Sequence, residues 1–130
     1  MKILFAPIHY FYGKNYASEF ICAHEIFTRI VCIYPQALAI CLIKFDEEKD
    51  TSHLVYKYSI SKPFYPNILV NLELMYFYTI QALKLIKARR YNTIHHFLPF
   101  RIGRTFNPLF WFLGPNIKKI IGPVMVSVNF

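Results

Sequence analysis

The sequence predicts an α/β fold in which a mostly parallel β-sheet carries helices on both faces. Two features of the chain predict it. Apolar runs of strand length alternate with segments of helical periodicity, which is the order that parallel sheets require. Hydrophobic residues make up 55% of the 130 residues and charged residues 17%, so the chain has enough apolar surface for one core. We therefore expect a single domain over residues 1–130.

Three apolar runs in the first half of the chain predict strands. Residues 2–7 end at a proline and have the composition of a buried first strand. Residues 37–45 form the second run, and residues 54–60 roughly alternate apolar and polar positions. A charged turn over residues 46–50 separates the second run from the third.

A helix is predicted between the first two of these runs. Ser18 can cap its N-terminus and Pro35 ends it. Glu25 and Arg29 lie four residues apart, where opposite charges can pair on a helix surface. The apolar stripe that would face the sheet comprises Phe20, Ala23, Phe27, Ile30 and Val31.

A long second helix is predicted over Ile68–Lys87, after a proline-rich loop at residues 61–66. It is apolar nearly all round, so it is either covered on two sides or lies on a membrane surface. Burial is favoured because its polar residues form no clean face. Glu73, together with Lys84 and Lys87, argues against a membrane span.

The last third of the chain predicts two further strands around a short helix. Residues 93–98 and 117–121 have the composition of buried strands, and residues 109–113 of a helix. Asn107 followed by Pro108 is a strong helix start, since asparagine caps and proline suits the first position. Gly114 followed by a proline is an equally good stop.

The net charge of the chain limits the classes of partner that it is expected to bind. Its net charge is +8, which attracts nucleic acid, anionic lipid or phosphorylated ligands. The basic residues are spread along the chain without a dense run, and no nucleic-acid motif is present. We therefore expect no nucleic-acid partner.

The cysteines indicate a reducing compartment. Cys22, Cys32 and Cys41 are odd in number and widely spaced, unlike a disulfide framework. They are expected to act as small core residues in the cytosol. No cleavable signal-peptide pattern is visible, so the expected location is cytoplasmic, or peripheral at the inner face of the membrane.

Loops that follow strand ends are the candidate ligand sites, because open α/β sheets bind ligands beyond the carboxyl ends of their strands. Three loops qualify: residues 9–18, residues 99–105 and the residues after Ile121. In the first, Gly13 and Lys14 suit a phosphate beside a helix N-terminus. A plain turn glycine explains Gly13 equally well.

Two pairs of side chains near the second loop are further candidates. His95 and His96 end a predicted strand, where neighbouring residues face opposite sides. This strand and the first strand are expected to lie side by side and parallel, so that one histidine meets Gly13 at the same edge of the sheet. One of them can hydrogen-bond a sugar hydroxyl or a phosphate, and ordinary strand histidines are the alternative. Arg101 and Arg104 can bind phosphate with paired hydrogen bonds or remain solvated loop charges.

Two segments resemble the N-terminal domain of family-4-type retaining glycosyltransferases. One is the strand, glycine loop and helix of residues 1–29. The other is Tyr-Asn-Thr-Ile-His-His at residues 91–96, followed by Leu-Gly at 113–114 and Ile-Gly-Pro at 121–123. This matches the order of the family's D-x-x-H-H, Leu-Gly and W-G-P motifs. The chain departs from the family in its single loop glycine, in Asn92 where Asp is usual, and in Val124 where glycine usually follows.

The resemblance implies the N-terminal half of a GT-B fold, a Rossmann-like domain that holds the acceptor. Such enzymes transfer sugar from a nucleotide-sugar, which is a substrate, to a saccharide or lipid-linked acceptor, and they need no metal or other cofactor. Gly13 would lie near the donor phosphate, His95 and His96 would be the catalytic pair near the transferred sugar, and Gly122 and Pro123 would lie at the cleft edge.

The same resemblance places the donor site mainly on a second domain, the GT-B C-terminal domain, which is a partner outside this sequence. The chain is therefore expected to be incomplete and inactive alone. The alternative function is a non-catalytic α/β binding or membrane-surface module.

Overall fold

A computed structural model describes residues 2–8, 18–46, 51–61, 68–88, 91–97, 100–101, 107–122 and 124–125. The strands are β1 (Ile3–Ile8), β2 (Leu38–Ile40), β3 (Ile43–Phe45), β4 (Leu54–Val55), β5 (Tyr58–Ile60), β6 (Thr93–Phe97), β7 (Phe100–Arg101), β8 (Lys118–Ile121) and β9 (Val124–Met125). The helices are α1 (Ser18–Ile33), α2 (Ile68–Lys87) and α3 (Leu109–Phe112).

Five strands form one parallel sheet in the order β4-β2-β1-β6-β8. Counted along the chain within this sheet, the order is 3-2-1-4-5, which is the order of Rossmann-like folds. The predicted α/β fold with a mostly parallel sheet is therefore confirmed. The switch point, where successive strands begin to add on the other side of the first strand, lies between β1 and β6.

The core is built around β1, whose six residues are all buried. Because successive side chains of a strand point to opposite faces, β1 supplies two cores. Phe5 packs edge-to-face against Phe27 of α1, with ring centroids 5.5 Å apart. Leu4 belongs to the opposite cluster with Leu74 and Tyr78 of α2. Helices therefore cover both faces, as the sequence predicts.

Helix α1 agrees with its predicted boundaries, and Phe27, Ile30 and Val31 of its predicted stripe pack toward the sheet. The side chains of Phe20 and Ala23 lie outside the described part of the chain. The helix begins at Ser18 and ends at Ile33, two residues before Pro35. Phe27 is buried on the sheet side. Arg29 and Glu25 approach to 3.9 Å on the solvent side, where an exposed pair contributes little stability.

The structure corrects the expectation that helix α2 is covered on two sides. One side packs on the sheet through Leu74, Tyr78 and Ala82. Another side faces solvent, with large apolar residues at Ile68, Leu69, Leu72 and Tyr76. No helix within the described ranges is long and apolar enough to cross a bilayer.

The second and third predicted strands each divide into two. The amides of Lys57 and Tyr58 both donate to the carbonyl of Leu42, at 3.1 and 2.9 Å. Two residues of one strand therefore oppose one residue of the other, which is the geometry of a β-bulge. β2 pairs with β4 before the bulge, and β3 pairs with β5 in parallel beyond it.

The segment of residues 99–105, predicted as a loop, contains a further strand. β7 pairs in parallel with β9, with Phe100 opposite Val124 and Arg101 opposite Met125. The backbone groups of these residues are therefore paired within a short strand. Two residues are too few for a sequence pattern to predict it.

The cysteine expectation holds for one residue and fails for another. Cys41 is buried, and desolvation raises the pKa of its thiol to about 12. Cys32, in contrast, is an exposed thiol on α1 and is not a core residue.

Candidate functional site

The candidate site lies at the carboxyl ends of β1 and β6, the two strands that flank the switch point. These strands pair in parallel, with Phe5 opposite His95 and Ile8 opposite Phe97. The predicted pairing of the first strand with the histidine strand is therefore confirmed. In sheets of this order, the crevice outside this point is where ligands bind.

His96 faces the α2–α3 side of the sheet and is 1% exposed. The side-chain nitrogen Nδ2 of Asn107 lies 2.9 Å from Nδ1 of His96. The same Nδ2 donates to the carbonyl of Ala6 in β1 at 3.1 Å. One asparagine therefore ties the histidine strand to the central strand.

Asn107 also organises the start of α3. Its side-chain oxygen Oδ1 accepts a hydrogen bond from the backbone N–H of Leu109 at 3.0 Å. Pro108 already has helical backbone angles, with φ −63° and ψ −23°. The geometry is that of an asparagine cap followed by proline, so this predicted helix start is confirmed.

His95 faces the other side of the sheet, toward α1. Its ring lies 5.1 Å from that of Phe5 and 5.0 Å from that of Phe97, measured between centroids. The backbone of Gly122 lies close enough to the ring of His95 to raise its pKa. His95 is therefore held between aromatic rings and the residue that follows β8.

Both histidines are held neutral by burial. Desolvation lowers the pKa of His95 from 6.5 to about 4, opposed by the hydrogen bond to the Gly122 backbone. Desolvation likewise lowers the pKa of His96 to about 4, and the neighbouring His95 adds to the effect. At neutral pH the pair therefore supplies uncharged hydrogen-bonding groups.

Gly122 joins the same edge through its backbone. Its N–H donates to the carbonyl of His96 at 3.1 Å. A Cβ atom built at this position meets nothing within 4 Å. Within the described residues, a side chain at position 122 would therefore meet no steric clash.

The structure brings together three of the predicted site residues, His95, His96 and Gly122. Arg101 lies in β7, and only its backbone is described. Four predicted residues lie outside the described ranges: Gly13, Lys14, Arg104 and Pro123. The predicted meeting of Gly13 with the histidines therefore stays a prediction.

Sequence reasoning missed Asn107 as a site residue. It identified the asparagine as a helix cap, and that role alone explains its residue type. Its contacts with Ala6 and His96 span 101 and 11 positions of sequence, so no local pattern indicates them. Among the described residues, no group of three His, Cys, Asp or Glu side chains is placed to hold a metal ion.

An open groove lies at the opposite edge of the sheet, where the strands begin. It has a volume of about 530 Å³ and is lined by Lys2, Pro35, Gln36, Leu38, Ser52, His53 and Tyr91. Nδ1 of His53 lies 3.0 Å from the carbonyl oxygen of Ala37. The phenol of Tyr91 donates to the carbonyl of Gln36 at 3.4 Å. Polar groups of the groove are thus engaged with the protein's own backbone.

The protein is a Rossmann-like α/β domain with a buried polar cluster at its switch point. No protein-family model matches the chain, and searches of curated proteins and of solved structures find no significant match.

Proposed function

We propose that this chain is the acceptor-side domain of a GT-B-type glycosyltransferase, which transfers sugar from a nucleotide-sugar to a saccharide or lipid-linked acceptor. The observation that carries the proposal is the cluster of His95, His96, Asn107 and Gly122 at the switch point. It occupies the place where this sheet order forms its ligand crevice. The resemblance of the histidine and Gly-Pro segments to the family supports the same assignment.

The chemistry of the pair favours binding over proton transfer. A general base works best with a pKa near the working pH, whereas the pKa of each histidine is lowered to about 4. Neutral imidazoles donate and accept one hydrogen bond each, which suits sugar hydroxyls. We assign His95 and His96 to orienting the sugar, with Gly122 at the edge of the site.

Saccharide titration of the ¹⁵N-labelled chain tests this function. A panel of hexose and N-acetylhexosamine glycosides is added while the backbone amides and histidine rings are followed by NMR. We expect shift changes at His95, His96 and Gly122. Changes confined to His53 and Tyr91 would instead place the binding site in the groove at the other edge.

Matched histidine variants make the titration specific. In His96→Asn, the new side-chain oxygen can accept from Asn107 Nδ2 where Nδ1 did, and the Nε2 group is removed. We expect this variant to weaken saccharide binding by about tenfold, as loss of one buried hydrogen bond implies. His53→Asn is the control and should bind like the wild type. Equal binding by all three proteins would contradict the assignment.

A membrane-surface module is the second candidate, and one observation favours it. Ile68 is 75% exposed and Tyr76 is 73% exposed, on the same side of α2 as Leu72. The acidic residue of this helix, Glu73, is paired with Lys57 at 2.8 Å. With a net charge of +8, such a face suits an anionic bilayer.

Co-sedimentation with vesicles tests this candidate. The chain should bind vesicles that contain phosphatidylglycerol more strongly than pure phosphatidylcholine vesicles, and added salt should weaken binding. The Leu72→Ser/Tyr76→Ser double variant should lose binding. Ile33→Ser is the control, because Ile33 is 68% exposed on α1. Equal binding to both vesicle types, or equal loss in the control, argues against a face on α2.

A further inference from the structure

The orientation of the Asn107 amide is determined by two backbone groups. The N–H of Leu109 can only donate, so the atom 3.0 Å from it must be the amide oxygen. The carbonyl of Ala6 can only accept, so the atom 3.1 Å from it must be the amide nitrogen. Exchanging the two atoms would set donor against donor and acceptor against acceptor.

This orientation determines the tautomer of His96. The second N–H of the Asn107 amide nitrogen is directed at Nδ1 of His96, at 2.9 Å. An amide NH₂ group cannot accept a hydrogen bond, so Nδ1 must be the acceptor and carry no proton. In a neutral imidazole the single proton is then on Nε2.

We infer that Asn107 is a positioning residue that holds His96 in the Nε2–H tautomer, so that His96 offers a hydrogen-bond donor to an acceptor oxygen of the ligand. Only the ligand part of this inference rests on the proposed function. Because His96 is 1% exposed, that oxygen has to enter an enclosed site. The acceptor is a sugar hydroxyl or a phosphate oxygen, which share this chemistry.

His53, at the amino edge of the sheet, provides an internal control, because the opposite tautomer is expected for it. Its Nδ1 lies 3.0 Å from the carbonyl of Ala37, which can only accept. Neutral His53 therefore carries its proton on Nδ1. The difference that decides the tautomer is whether a donor or an acceptor faces Nδ1.

Long-range ¹H–¹⁵N correlation of the histidine rings tests the inference without any ligand. Protonated and unprotonated ring nitrogens have well-separated ¹⁵N shifts. We expect His96 to show a protonated Nε2 with at least about a tenfold excess over the other tautomer, since the wrong tautomer loses a buried hydrogen bond. His53 should show the reverse. A protonated Nδ1 on neutral His96 would overturn the inference.

Two measurements test the part played by Asn107. A scalar coupling between its Nδ2 and Nδ1 of His96 in the wild-type chain is expected across the hydrogen bond, and it requires no variant to fold. In Asn107→Asp a carboxylate oxygen faces Nδ1, so His96 should become protonated there, while His53 stays unchanged. Absence of the coupling, or a folded variant that keeps the original tautomer, contradicts a positioning role.

Titration with methyl glucoside and, separately, with inorganic phosphate distinguishes the two sources of the acceptor oxygen. The ligand that shifts the Nε2–H resonance of His96 is the one that supplies the oxygen. If neither ligand shifts it, the donor role toward a ligand is wrong together with the proposed function, although the tautomer result stands independently.

Discussion

The two edges of the sheet differ in the hydrogen-bond partners of their polar side chains. The amino edge holds an open groove of about 530 Å³, whose His53 and Tyr91 are bonded to backbone carbonyls. At the carboxyl edge, His96 is bonded to another side chain, that of Asn107. The histidines at the two edges thus differ in their partners, a backbone carbonyl for His53 and a side-chain amide for His96.

A groove alone does not identify a binding site in a parallel sheet. At the amino edge, the side chains of His53 and Tyr91 bond to the backbone carbonyls of Ala37 and Gln36, and these bonds stabilise the segment between α1 and β2. At the carboxyl edge, a buried asparagine, two histidines and a strand end converge where the strand order reverses. The polar cluster is therefore the better guide to function.

Of these variants, substitution of the buried Asn107 should lower the stability most, and the exposed Asn92 at the amino edge serves as its comparison. Asn107 is 5% exposed and bonds Ala6, His96 and Leu109. Asn107→Ala should lower the free energy of unfolding by about 2–4 kcal/mol, because it leaves buried groups unsatisfied and removes a helix cap.

Asn92→Ala is the control at the amino edge. Asn92 is exposed and accepts from the N–H of Lys2 at 3.1 Å. Its substitution should cost less than about 1 kcal/mol, since water replaces the lost bond. Urea unfolding of both variants measures the difference, and equal losses would contradict the contrast between a buried and a solvated edge.

Acid should destabilise the carboxyl edge through its histidines. Their folded-state pKa of about 4 lies below the ordinary value of 6.5, so between these values the unfolded chain binds more protons. Stability should therefore fall as the pH is lowered from 6.5 to 4, with about 3 kcal/mol from the buried His96 and less from His95, which solvent partly screens. Below about pH 4 their contribution to the slope ends.

The His96→Asn variant isolates this contribution from that of the carboxylates. Chemical unfolding is measured at several pH values between 4 and 7 for both proteins. The variant should show a shallower fall over this range, because one of the two depressed groups is gone. Parallel curves would mean that the folded protein does not hold His96 neutral.

The smallest effect is expected at Gly122, which joins the carboxyl edge only through its backbone. A Cβ at this position meets none of the described residues within 4 Å, so Gly122→Ala should change the free energy of unfolding by no more than about 0.5 kcal/mol. Thermal unfolding checks this. If the same variant weakens saccharide binding, then the ligand, and not the fold, requires the glycine.

Much of the framework could be predicted from the sequence, because local patterns carry it. The apolar run of β1, the stripe and proline stop of α1, and the Asn-Pro start of α3 each depend on neighbours within a few residues. Alternation of these segments was enough to indicate a parallel sheet with helices on both faces. It also indicated that His95 and His96 lie at a carboxyl strand end.

Other features of the fold depend on residues far apart in the chain, and local sequence patterns do not indicate them. The bulge that divides the second and third predicted strands arises from two amides that share the carbonyl of Leu42. The exposed side of α2 follows from the direction in which the sheet lies, which an all-round apolar sequence does not show.

The contacts of the candidate site also depend on residues far apart in the chain. From the sequence, Asn107 was a helix cap and His96 one of two equivalent strand histidines. Folding places Asn107 between β1 and β6, where its amide bonds a carbonyl 101 positions away and the ring of His96. Hydrogen bonds need atoms within about 3 Å, and only the packed sheet and helix bring these groups to that distance. The sequence alone determined which residues end the strands, and tertiary packing decided which of them meet and which ring nitrogen carries the proton.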